Sequence, residues 1–117
     1  MSVRAVRGAI QIKDNTEKFI DDGVRRLIDE IIEKNEIDVN NVISIIFSQT
    51  SDLTAKNPAA ALRKDGFNET PLFCTKEPDV IGSMERVVRV LITLDTDRIM
   101  EPVYLEGAKN LRQDIKS

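Results

Sequence analysis

Histidine is absent from the 117 residues, tryptophan is absent too, and Cys74 is the one cysteine. The first absence removes the side chain most used as general base, metal ligand and triad member. A lone thiol forms neither an internal disulfide nor a cysteine-rich zinc site, and it fits a reducing compartment. Glycine totals five, with no pattern resembling a phosphate-cradling loop or a dinucleotide fingerprint. No apolar run approaches the ~20 residues that span a bilayer, and Met1-Ser2-Val3-Arg4 lacks the apolar core of a signal peptide, so a cytoplasmic protein with no membrane partner is expected. The net charge of -3, with only four Phe and one Tyr for stacking, also argues against a nucleic-acid partner.

Apolar residues at 41% and charged residues at 32% describe a chain that folds, and its length suits a single domain over 1–117. Residues 2–12 alternate small and β-branched side chains and predict a first strand. On it, Arg7 shares a face with Val3, Ala5 and Ala9, while Arg4 points the other way. An inward Arg7 would require an anion.

Asp14, Asn15 and Thr16 are N-cap choices, with Glu17 at capping-box spacing from Asp14. Apolar positions at Phe19, Ile20, Val24, Leu27, Ile28, Ile31 and Ile32 then trace one stripe of an amphipathic helix ending near Asn35. Residues 42–47 are apolar on both faces, as in a central strand covered on each side. They run into a polar loop, 48–52. Asn57-Pro58 predicts a short helix continuing through Lys64 until Gly66. A short strand is expected at 72–75. Residues 84–92 fit either period; the β-branched content favours a strand over 86–94. A last strand at 102–105 precedes a polar tail, 107–117. One long helix with several strands is an α/β or α+β fold.

What stands out is cationic. Arg89 lies between Val88 and Val90, where an arginine pairs with a protein carboxylate or with a ligand, and its neighbours alone leave both open. Arg63 and Arg112 alone are ordinary surface cations. Taken singly, Cys74 is a small buried residue, Glu77 a loop carboxylate before Pro78, and Tyr104 a strand residue with its hydroxyl at the rim.

Taken in order, these residues resemble the α/β-barrel class of chorismate mutases, the small trimeric isomerases that convert chorismate to prephenate in Phe and Tyr biosynthesis. The resemblance rests on Val3-Arg4-Ala5-Val6-Arg7-Gly8-Ala9, Ser51-Asp52-Leu53, Pro58-Ala59, Ala61-Leu62-Arg63, Cys74 to Glu77, Asp79-Val80, Arg89-Val90, Val103-Tyr104-Leu105-Glu106 and Leu111-Arg112. It implies a mixed five-stranded sheet with helices on one face, and a trimeric pseudo-barrel with active sites between subunits. It also implies chemistry without a cofactor or metal, because a Claisen rearrangement is intramolecular and needs no nucleophile or proton transfer.

By the same resemblance, Arg89 meets the ether oxygen and a carboxylate, with Arg7 assisting. Glu77 accepts from the ring hydroxyl near Cys74, and Tyr104 donates to a carboxylate. Ala59 and Arg63 come from the neighbouring subunit, Phe73 and Leu111 line the pocket, and Arg112 closes over it. Asn57, Ala60 and Phe73 depart from the family pattern, which bears on affinity and on the pocket's entrance. Two alternatives are a trimeric imine deaminase of similar architecture and a non-catalytic sensor of an aromatic-pathway acid.

Overall fold

The stripe read from the sequence forms the one α-helix of the computed structural model, which describes residues 2–63 and 66–111. Helix α1 spans Glu17–Asn35; Thr16 caps it by accepting the Phe19 N–H, and Glu36 closes it in a left-handed conformation. Five strands follow the expected order: β1 (Val3–Gln11), β2 (Val42–Gln49), β3 (Leu72–Lys76), β4 (Val87–Asp95) and β5 (Val103–Leu105). They make one mixed sheet ordered β3-β2-β4-β1-β5, antiparallel at β2/β4 and β4/β1 and parallel at β3/β2 and β1/β5. Among the described residues no helix is long and apolar enough to cross a membrane.

Helix α1 lays Ile20, Val24, Leu27, Ile28 and Ile31 on one face of the sheet, against Val6, Ile10, Ile45, Phe47, Val90 and Ile92. Burying this apolar surface is the main source of stability. Gly8 sets how closely the helix sits. A Cβ there would lie 2.7 Å from the Ile31 side chain and 3.0 Å from the Val103 carbonyl oxygen. Gly8→Ala should therefore destabilise by about 1–3 kcal/mol, the scale of overpacking, read as a lower midpoint in thermal unfolding.

The opposite face departs from expectation. Residues 42–47 were expected to be covered on both sides, but Ile46 on β2 is 39% exposed. Phe73 (65%), Leu91 (37%) and Val3 (67%) are exposed as well, and Arg7 points outward. One helix covers one face of a sheet, so this chain alone leaves the second face open. Arg7 is not inward within a single copy.

Two further stretches differ from expectation. The helix expected through Lys64 is a 3₁₀ turn, Pro58–Ala61, capped by Asn57. The Arg25 Nε donates to the Ala61 carbonyl at 3.4 Å, which offers that carbonyl a partner outside a helical ladder. Residues 106–110 of the expected tail form a 3₁₀ turn with Ala108 fully buried; 112–117 lie outside the described residues.

Candidate active site

Strand register decides which side chains meet. Ala9 pairs with both Arg89 and Tyr104, Ser48 pairs with Arg89, and Thr75 pairs with Ser48. One row therefore crosses the open face as Thr75, Ser48, Arg89, Ala9, Tyr104. The two residues flanking Arg89 are small, which leaves room above the sheet for a guanidinium. Arg7 lies two positions before Ala9 on the same face.

Glu77 follows β3 directly, and its backbone N–H donates to the Gln49 carbonyl at 2.8 Å. Its carboxylate takes the Arg89 Nε at 3.0 Å and the hydroxyl of Ser48. Both side chains stay partly open, Arg89 at 40% and Glu77 at 25%. Glu77 holds the Nε edge; the Nη groups make no hydrogen bond or ion pair with the described residues, so their donors are open to a ligand. Thr50, Pro78, Ser83, Met84, Val87 and Leu111 complete, with this pair, the lining of a cavity of about 100 Å³. Tyr104 packs beside it in a small buried cluster with Ala9, Val87 and Ala108.

Arg89, Glu77, Leu111 and, through the row it shares with Arg89, Tyr104 thus come together, while Arg7 lies on the same face opposite Leu91. The others do not join them within one copy. Cys74 is in register with Phe47 on the helix side, where its side chain packs against the main core. Burial pushes its thiol above the ordinary value, so it stays protonated at neutral pH. Cys74 instead lines a separate depression with Gln49, Leu53, Asn57 and Lys76. Ala59, buried, and Arg63, exposed, follow Asn57 in the same stretch. Phe73 is exposed on the open face, and Arg112 falls outside the described residues.

Ser48, bonded to Glu77, and Thr50, which lines the cavity, are candidate-site residues that the sequence did not single out. Both were taken into a polar loop, although Ser48 keeps the two-residue period of Ile46 and so belongs to the strand.

A family profile described as "Chorismate mutase type I" matches residues 3–115. The chain belongs to this family. It is similar to the chorismate mutase AroH of Thermus thermophilus, with 38% identity over 98% of each chain. Against the chorismate mutase AroH of Bacillus subtilis the identity is 35%, over 98% of this chain and 94% of the relative. A solved chorismate mutase from Clostridium thermocellum superposes with a TM-score of 0.88 at 42% identity, covering 92% of this chain and 98% of that one. The protein has chorismate mutase activity, an isomerisation within aromatic amino-acid biosynthesis, and chorismate is its substrate. Deaminase and sensor readings are thereby set aside.

Proposed function

We propose that the rearrangement takes place at the Arg89–Glu77 pair, in a site that a second copy of the chain completes. Chorismate is a flexible dianion whose C–O bond breaks while a C–C bond forms within the same molecule. The protein contributes orientation of the compact conformer and stabilisation of the negative charge growing on the ether oxygen. Arg89 supplies Nη donors to that oxygen and to a nearby carboxylate. Glu77, holding Nε, accepts from the ring hydroxyl. Arg7 assists Arg89, and Tyr104 donates to a carboxylate; Arg112 lies outside the described residues. No metal or cofactor takes part in the step.

The observation that carries this is the mismatch between cavity and ligand. A space of about 100 Å³ is far below the ~300–1,000 Å³ of ordinary ligand pockets, although it already presents a cation and an acceptor. The missing wall comes from a neighbour. Asn57 and Cys74 line a second depression that Arg89 does not reach, Ala59 and Arg63 follow Asn57 closely in the chain, and the exposed apolar side chains of the open sheet face supply a contact surface. In a cyclic assembly this second region of one copy meets the Arg89 group of the next. We take the assembly to be a trimer of single-domain chains in the cytoplasm.

Native mass measurement tests the assembly: a mass near three times the 13.2 kDa chain is expected. A monomer that turns over chorismate at full rate would contradict a shared site.

A further inference from the structure

We propose that Asp52 is a positioning residue for the rearrangement, holding the chain at the entry to β4 so that Arg89 keeps its place beside Glu77. This rests on the roles assigned to Arg89 and Glu77 above.

Glu77 leaves β3 and Arg89 sits in β4, with the loop 77–86 joining them. Val80 (61% exposed) and Ile81 (fully exposed) bury little surface there, so the loop has few contacts of its own to fix either end. Residues 49–52, at and just beyond the end of β2, hold both ends. At the first, the Gln49 carbonyl accepts the Glu77 N–H at 2.8 Å and the Ser51 hydroxyl donates to Asp79 at 2.7 Å. At the second, the Thr50 N–H donates to the Val87 carbonyl at 3.0 Å, and the Val87 N–H donates to the Thr50 hydroxyl at 3.0 Å.

Asp52 completes the second clamp. Both its carboxylate oxygens accept the Arg86 N–H, at 3.0 and 3.1 Å, and one accepts the Thr50 hydroxyl at 2.5 Å. That bond directs the Thr50 proton to Asp52 and leaves the hydroxyl's lone pairs for Val87. Arg86 needs this hold. Its φ is +52°, a left-handed backbone uncommon for a side chain of this size, and such a conformation persists only when its surroundings over-determine it. Pairing with Ile12, through N–H to carbonyl at 2.7 Å and Arg86 Nε to carbonyl at 3.0 Å, ties the same residue to the end of β1. Three residues further on is Arg89. Asp52 does not line the cavity with Arg89 and Glu77, so its effect passes through the backbone.

Misplacing a catalytic group by about 1 Å can cost ~10²-fold in rate. Steady-state kinetics of Asp52→Ala, assayed well below its unfolding midpoint, should show kcat reduced by ~10-fold or more with KM changed by less than ~3-fold. Asp52→Asn keeps an acceptor oxygen for the Arg86 N–H and should regain most of the lost kcat. Wild-type kcat in Asp52→Ala, or a loss confined to KM, would overturn the proposal. If Asp52→Ala does not fold, Asp52→Ser, which keeps a polar side chain but withdraws the carboxylate from the Arg86 N–H, takes its place; a kcat loss at unchanged KM supports the clamp, and unchanged kcat overturns it. Arg89→Lys, measured alongside, separates the two layers. A crippled Arg89→Lys beside a normal Asp52→Ala removes only the positioning role, whereas a normal Arg89→Lys removes the site assignment beneath it.

Discussion

Arg89→Lys is expected to lower kcat by at least ~10²-fold, the scale of losing one well-placed transition-state donor, while the chain still folds and assembles. Lysine keeps the positive charge, so the dianion should still be attracted to the site. What it loses is the planar fork. In the structure Nε serves Glu77 at 3.0 Å, and the Nη groups are the donors proposed for the ether oxygen. A single ammonium cannot hold Glu77 and also present two donors in that plane. Because charge on the ether oxygen grows only as the C–O bond breaks, the loss should fall on kcat more than on KM. Near-normal kcat in this variant would make the Arg89–Glu77 contact a structural ion pair of a half-exposed kind, which contributes little.

The sequence made α1 plain because a complete apolar stripe behind three possible capping residues has no rival interpretation at that length, and the structure selects Thr16 as the cap. Strand β4 was ambiguous by period, and its β-branched residues decided it correctly. The roles of Arg89, Glu77 and Tyr104 came from the family resemblance; register then explains how they meet, since Ala9 and Ser48 place small side chains on either side of Arg89.

Other features depend on what lies outside the local pattern. Arg7 was assigned to the right face, but whether that face is inward depends on what covers it, and only one face has a helix. Cys74 and Glu77 look adjacent in the sequence. Yet Cys74 obeys strand alternation and points to the helix side, whereas Glu77 lies past the strand end, where alternation no longer applies. The left-handed Arg86 gave no signal, because the usual marker of such a backbone is Gly or Asn, and here hydrogen bonds donated by the Arg86 N–H to Asp52 take that role.

The second large effect concerns the division of the site. Arg63→Ala should sharply lower kcat/KM by removing a cation for a substrate carboxylate, and Arg89→Ala should abolish most turnover. If Arg63 and Arg89 of one site come from different chains, the two defects complement. A mixed oligomer contains interfaces where intact Arg89 of one variant faces intact Arg63 of the other. It also contains interfaces that carry both defects together. With random exchange at equal amounts, about a quarter of the sites should be wholly intact, by the geometry of a closed ring. A site built within one chain predicts no such recovery, because every chain in the mixture is damaged.

The decisive measurement is therefore chorismate turnover by Arg63→Ala and Arg89→Ala chains that have been unfolded and refolded together, with each variant refolded alone as reference. The shared-site account predicts activity well above the average of the two parents, approaching about a quarter of the wild-type rate per chain. Activity no greater than that average, in a sample whose mixed oligomers are verified by native mass, would contradict it.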